Sequence, residues 1–450
     1  MARIFTRRRL AGALASALLL QTGGASALSL LEAYDAALQN DPTYRSAIHE
    51  HDAGQQNRVL GRSSLLPTVS ASYSSSKNRA DITAPDAFGR ERTTHPEYTS
   101  TVGTVQVRQP ILNLEGIARY QQGIAQTNYS DAVFSSRSKE LVLRVVAAYG
   151  DTQHAEHQLA LAVAQRDAFA EQMRVNERMF QKGEGTRTDM LETQAKYDVA
   201  EAQVIEARDN LTTARNTLAA IVGSDVTHVD QLSDDFQVQT LQPAGFDEWK
   251  AIALENNAEI AAQRHTVEAT RQDINRNRAG HAPRLDMLAS VSRNKGETLN
   301  TFNEESTVRS VGVQLNIPLY SGGYVSAATS QAVSNHEKAK SDLDTKTSEV
   351  LVELRKQYSL VLSSAAKIDA LVKSVKSATL LVKATEQSIK GGVRINLDLL
   401  NAQQQFYTAK RDLAQARYTY LLSYLRLRNA AGTLNVDDLR SVAGYFVAGR

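Results

Sequence analysis

The 450-residue chain contains no cysteine. That excludes structural disulfides, Cys-ligated zinc, iron–sulfur clusters, a catalytic thiol and a lipid-anchored N-terminal Cys. Proline is limited to 8 and glycine to 24, which favours long uninterrupted elements over many short loops. An excess of one charge is missing too: 51 Lys+Arg against 49 Asp+Glu leave +2, so there is no electrostatic footprint for nucleic acid. Beyond the N-terminus no stretch approaches 18 consecutive apolar residues, so no inner-membrane helix is expected. GxSxG, HExxH, a phosphate loop and a dinucleotide fingerprint are all absent, and neither an enzyme nor a bound cofactor is expected. What remains is globular composition, 42% hydrophobic and 22% charged, unlike that of a disordered chain.

The first residues read as a targeting segment. Arg3, Arg7, Arg8 and Arg9 precede a short apolar run from Leu10 to Leu20, and Ala25-Ser26-Ala27 follows. A basic start, an apolar centre and an A-x-A end make a secretory signal peptide over 1–27. The apolar run is too short to span a bilayer, which takes about 20 residues. Without these residues the mature chain has 47 basic and 49 acidic side chains.

The remainder repeats itself. Glu32-Ala33-Tyr34-Asp35-Ala36-Ala37-Leu38-Gln39-Asn40 is echoed from Glu248 to Asn256, and Leu66-Pro67 by Ala282-Pro283. Val105 to Pro110 corresponds to Val313 to Pro318, and Lys182-Gly183 to Lys390-Gly391. Ala220-Ile221-Val222-Gly223 corresponds to Asn429-Ala430-Ala431-Gly432. Offsets of 208 to 216 over the whole length mean one long unit duplicated in tandem, not a solenoid of short ones. The expected organisation is a first repeat over 28–223, a linker over 224–245, a second repeat over 246–432 and a tail over 433–450. Each repeat has a helical segment (30–60; 246–280), two alternating runs separated by a polar loop, a very long helix, a Gly-containing turn and a return helix. The return helices stop at Gly223 and Gly432.

In the alternating runs, Val311, Val313, Leu315 and Ile317 oppose Ser310, Gly312, Gln314 and Asn316. Val69, Ala71 and Tyr73 alternate with Ser70, Ser72 and Ser74, and Gly103, Val105 and Val107 with Thr104, Gln106 and Arg108. Leu285, Met287, Ala289 and Val291 give a less clean split against Asp286, Leu288, Ser290 and Ser292. Period two with charge kept to one face is the pattern of strands between lipid and a wet lumen; soluble edge strands packed on helices are the competing reading.

From Glu115 to Phe180 and from Tyr324 to Ile389 there is no proline. About 65 residues at 1.5 Å each give a helix of roughly 100 Å, which must lie against other helices along its length. In the return helices Met190, Tyr197, Val204, Leu211 and Leu218 are spaced by seven, as are Leu399, Phe406, Leu413, Tyr420 and Leu427. Such a repeat implies left-handed supercoiling; ordinary core packing in a soluble bundle is the alternative. Four strands cannot close a membrane barrel, since the smallest use about eight, and an open edge in lipid leaves backbone groups unpaired. If the strands span a membrane, several chains share one barrel. The loops near 78–100 and 293–306 then face outside, and the Gly turns near 183–185 and 391–392 form the far tips.

Taken together, Leu31-Glu32-Ala33 through Asn40-Asp41-Pro42, the four strand runs, the tips Lys182–Asp189 and Lys390–Asp398, and the segment Arg417–Leu434 resemble the TolC family of outer-membrane efflux and secretion channels. The resemblance implies an α+β membrane protein: a homotrimer with a shared twelve-stranded β-barrel, four strands per chain, continuous with a periplasmic α-helical coiled-coil tunnel. It implies location in the outer membrane, and a periplasmic adaptor and an inner-membrane ABC transporter as partners, with outer-membrane lipid around the barrel and no nucleic acid. The missing lipidation Cys resembles the protein-secretion branch, hence an exit duct of a type I secretion system. Small-molecule efflux on the same fold is the alternative, and a periplasmic coiled-coil scaffold with no pore is a third reading.

The resemblance also points to a gate at the tips. Asp398 matches a ring carboxylate, and Asn401 stands at the second ring position, where well-known members have Asp. Arg394 matches a linking residue, Asp189 matches a link partner, and Ile389 sits where a linking Tyr is often found. Three carboxylates near one axis would favour cations. Alternatively, Arg394 and Asp398 are only a local i, i+4 surface pair. Elsewhere His49-x-His51 and His154-x-x-His157 have spacings that can bind metal, but with no HExxH and no Cys they read as solvated helix histidines and no metal is expected, and Tyr73 and Tyr320 are candidates for interfacial belts or ordinary packing.

Overall fold

The structure, a computed structural model, describes residues 27–233, 236–296, 304–391 and 393–447. The expected leader lies, but for Ala27, outside the described residues. The first half runs α1 (Leu30–Asn40), α2 (Pro42–Ser63), β1 (Thr68–Arg79), β2 (Ile82–Pro85), β3 (Glu91–Thr94), β4 (Glu97–Leu112), α3 (Leu114–Gln181) and α4 (Arg187–Val222). After β5 (Gln231–Leu232), the second half runs α5 (Phe246–Asn256), α6 (Ala258–Arg278), a 3₁₀ turn (Ala279–His281), β6 (Arg284–Gly296), β7 (Glu304–Asn316), α7 (Tyr324–Lys390) and α8 (Asn396–Ala430). α9 (Val436–Ala443) and β8 (Phe446–Val447) close the described chain.

The helical segments at 30–60 and 246–280 are each two helices rather than one. Asp41 ends α1 and caps α2, its Oδ1 accepting from Thr43 N at 2.8 Å, with Pro42 in the first turn where no N–H is needed. Asn257 does the same between α5 and α6, accepting from Glu259 N at 2.9 Å and Ile260 N at 3.1 Å.

One antiparallel sheet has the order β1-β4-β6-β7, so the central pairing joins the two halves of the chain. Its register puts Val69, Val107, Ala289 and Val311 in one row on one face. The adjacent row on the other face is Ser70, Gln106, Ser290 and Ser310. Hydroxyls on that polar face bond sideways, Ser290 to Ser310 at 2.7 Å and Thr104 to Ser292 at 3.1 Å. No protein covers the apolar face within the chain: Val311 is 80% and Val313 70% exposed. The expected confinement of charge to the other face is not complete, because Arg309, opposite Val291, shares this face with Ala71 and Val105. β1 and β7 are the two edges of an open sheet. β4 runs past Pro110, where an end was expected, because the register against β6 shifts between Pro110 and Leu112 and no ladder N–H is needed there. The 78–100 segment is more than a loop: β2 and β3 form a hairpin whose turn is held by Asp86 Oδ1, accepting from Phe88 N at 2.8 Å and Arg90 N at 2.9 Å. β6 and β7 likewise extend to Gly296 and from Glu304 into the second expected loop.

α3 has 68 residues and α7 has 67, and each folds back on its return helix, α3 on α4 and α7 on α8. In α4, Val204, Leu211 and Leu218 of the expected heptad seam are buried. A second seam of small residues is buried beside it: Thr193, Ala200 and Ala207 in α4, and Ala402, Ala409, Ala416, Ser423 and Ala430 in α8. Residues that small let neighbouring helices approach closely. The main apolar core sits midway along the long helices, where Tyr149, Leu218, Trp249, Leu354, Leu425 and Leu439 are fully buried. Segment 224–245 contributes Val226, Val229, Phe236 and Leu241 to this core, and β5 pairs with β8. Gly432 has φ 77°, and a Cβ there would lie 2.2 Å from Asn256 O, so both conformation and space demand glycine.

Candidate functional site

The ends of the two hairpins, remote from the sheet, bring Asp189 and Arg394 to one cleft. α3 stops at Lys182, and Gly183 turns the chain with φ 73° while Glu184 N and Gly185 N donate to Met179 O at 2.9 and 3.2 Å. α4 starts in a capping box: Thr186 Oγ1 accepts from Asp189 N at 3.1 Å, and Asp189 Oδ2 accepts from Thr186 N at 3.2 Å. The Asp189 carboxylate is thus engaged at its own helix start. Across the second turn, Gly391 N donates to Gln387 O at 3.1 Å and Val393 N to Ser388 O at 2.9 Å. α8 has no side-chain cap, and Asp398 in its first turn complements the helix N-terminus instead.

Arg394 pairs with Asp398 at 3.6 Å, both side chains well exposed, so within one chain they are a local i, i+4 pair. Asn401 is exposed one turn further along α8. A cleft of about 660 Å³ between the hairpins is lined by Gln172, Asn176, Asp189, Glu386, Arg394 and Asn396 among others, so Asp189 and Arg394 share one space. Ile389 lines it as well.

Beneath the cleft lies a polar junction that sequence reasoning missed. Thr193, fully buried, accepts at Oγ1 from Asn176 Nδ2 at 2.7 Å and from Asn396 Nδ2 at 3.1 Å, and donates to Asp189 O at 2.8 Å. Gln172 Nε2 donates to Asn396 Oδ1 at 2.7 Å and to Asn176 Oδ1 at 3.1 Å. These four side chains join α3, α4 and α8. The available signal was a Thr in seven-residue register with Ala200 and Ala207, a polar residue in a seam of small ones.

The histidine pairs do not gather ligands: among the described residues no group of three His, Asp or Glu side chains is placed to hold a metal. His51 Nε2 lies 2.9 Å from Asp131 Oδ1, and its ring stacks on Phe134. His154 meets Gln158 Nε2 at 2.7 Å and stacks on Tyr418; burial, then the neighbouring His157, holds its pKa below the usual imidazole value. Tyr73 lies within β1, opposite Gly103, and Tyr320 lies just beyond the end of β7; they are 76% and 88% exposed.

A sequence model of the family described as outer membrane efflux protein matches residues 33–224 and 249–433. The chain belongs to that family. It is 44% identical over 434 residues to the alkaline protease secretion protein AprF of Pseudomonas aeruginosa, covering 96% of this chain and 90% of the relative. It is 38% identical over 452 residues to the proteases secretion protein PrtF of Dickeya chrysanthemi, covering 98% and 96%. The crystal structure of the Campylobacter jejuni CmeC outer membrane channel has the same fold, with a TM-score of 0.77 over 93% of this chain and 90% of that one at 16% identity. The protein is an outer-membrane channel component, its four-stranded sheet in the membrane and its helices extending into the periplasm, and not an enzyme.

Proposed function

We propose that the protein is the outer-membrane exit duct of a type I secretion system, passively conducting exported proteins to the exterior. An inner-membrane ABC transporter and a periplasmic adaptor supply the substrate and the energy. The observation that carries this reading is the 44% identity, nearly end to end, to a relative named for alkaline protease secretion. Relatives named for solvent and toluene efflux stand at 23%, which favours protein cargo over small molecules.

The open sheet supports assembly as a homotrimer. Edges β1 and β7 need partners in lipid, and three copies of four strands make a twelve-stranded barrel. At the far end, Asp398 and Asn401 line the aperture, and Arg394 and Asp189 link neighbouring hairpins. An exposed ion pair contributes only about 0–1 kcal/mol. A few such links per chain are a gate that a docked partner, preferring the open state, can tip.

The test compares culture-medium proteomes of the source bacterium with and without this chain. Loss of one or a few exported proteins, restored by complementation, supports the secretion duct. An unchanged medium together with new sensitivity to solvents or detergents would move the reading to small-molecule efflux.

A further inference from the structure

The polar face of the sheet carries its charge at one level. Its residues from Thr68 to Ser76 in β1, Ser100 to Gln106 in β4, Leu288 to Asn294 in β6 and Ser306 to Asn316 in β7 are uncharged, mostly Ser, Thr, Gln and Asn. At the end of the sheet nearest the helices this changes. Asp286, its side chain 3% exposed, accepts from Arg108 Nη2 at 2.5 Å and pairs with Arg284 Nε at 3.1 Å. The two arginine side chains remain 44% and 36% exposed on the same face.

One guanidinium is enough to neutralise one carboxylate through a forked pair. Here two surround it, leaving an uncompensated positive charge per chain on an otherwise neutral, hydroxyl-lined surface. A planar guanidinium with free donors is matched to carboxylates.

We propose that Arg108, Arg284 and Asp286 form a lumenal cationic girdle at the base of the barrel, a transient binding site for the Asp and Glu side chains of the passing polypeptide. This rests on the duct reading above, in which the polar face lines the lumen and three chains place three girdles at one level. Like charges ringing a channel with low-dielectric walls add their fields, drawing anions in and repelling cations. The girdle favours export of unfolded chains rich in carboxylates. It acts opposite in sign to the Asp398 level at the far tip, and at a separate place.

The experiment is planar-bilayer recording of the detergent-purified oligomer under a KCl gradient, for wild type, Arg108→Gln, Arg284→Gln and Asp286→Asn. The chloride-to-potassium permeability ratio is expected to fall about twofold or more in each arginine variant and to rise in Asp286→Asn. Oligoglutamate added on the barrel side should block wild type at lower concentration than oligolysine, and Arg108→Gln/Arg284→Gln together should remove that difference. Should Arg108→Gln fail to assemble, Arg284→Gln and Asp286→Asn still predict shifts of opposite sign. Pores of normal conductance whose permeability ratio does not change, or changes in the same direction in all variants, would overturn the girdle while leaving the duct. A wild-type oligomer that forms no pore would overturn both.

Discussion

Replacing Thr193 by Val keeps the shape of a fully buried side chain and removes only its hydroxyl, the point on which the tip junction converges. The Asn176 Nδ2 donor would lose its 2.7 Å acceptor and keep only a 3.4 Å contact to Asp189 O. Asn396 would lose a 3.1 Å bond but retains Gln172 on its oxygen and has access to water. A buried amide left unsatisfied costs about 1–3 kcal/mol, so the two losses together come to about 2–3 kcal/mol per chain. At about 1.4 kcal/mol per tenfold, local opening at the tips becomes roughly 30- to 150-fold more frequent. Hydrogen exchange reads this directly: amides in the first turns of α4 and α8 should exchange faster by that factor, and amides around Trp249 should not change. Thr193→Ser, which keeps the hydroxyl, should stay close to wild type. Equal exchange in Thr193→Val and Thr193→Ser would refute the reasoning, since the hydroxyl would then hold nothing.

Val311→Arg, on the apolar face near the middle of β7, should cost about 2–4 kcal/mol and lower the yield of assembled protein, whereas Ser310→Arg on the opposite face should assemble normally; quantifying heat-resistant oligomer in outer-membrane fractions checks both. Burial lowers the pKa of His154, with His157 lowering it further and Asp151 opposing. The unfolded chain therefore binds the proton first, and stability is lost as pH falls through the ordinary imidazole value; thermal unfolding at pH 7.5 and 5.5 should show a smaller difference in His154→Gln than in wild type. Gly432→Ala forces a side chain against Asn256 O at φ 77° and should lower the melting temperature, while the same change at open Gly312 should not.

How much of this was legible in the sequence differs by element. The long helices were plain because Glu115–Phe180 and Tyr324–Ile389 hold no proline, and the structure extends them by at most one residue at either end. β7 was plain from Ser310 onward, where Ser310, Gly312, Gln314 and Asn316 alternate with Val311, Val313 and Leu315; before it, Val308 and Arg309 break the pattern. The hairpin of β2 and β3 was not, because both strands are exposed on both faces and nothing imposes a period of two. Asp41 broke one helical segment through a single capping bond and Asn257 the other through two, a local chemistry that hydrophobic periodicity does not register. The small-residue seam escaped because alanine marks close approach as readily as it marks helix propensity. At the tips, Asp189, Arg394, Asp398 and Asn401 were selected by resemblance; Asp189 and Arg394 line one cleft, and Asp398 pairs with Arg394. The Asn176–Thr193–Asn396–Gln172 junction was invisible because its members come from three helices whose pairing the sequence does not state.

The central claim is that three chains close one barrel by pairing β1 of one copy with β7 of the next. Because the chain has no cysteine, a disulfide across that joint can be read without background. Cysteines placed singly at Ser70, Ser72 or Ser74 in β1, each combined with Ser310→Cys in β7, scan the register on the polar face, where a bond needs Cα atoms about 4.4–6.8 Å apart. Oxidation of outer-membrane vesicles is predicted to give covalent dimers and trimers and nothing larger, in one of these pairings and not the others. Monomers throughout, or ladders extending beyond the trimer, would contradict the account.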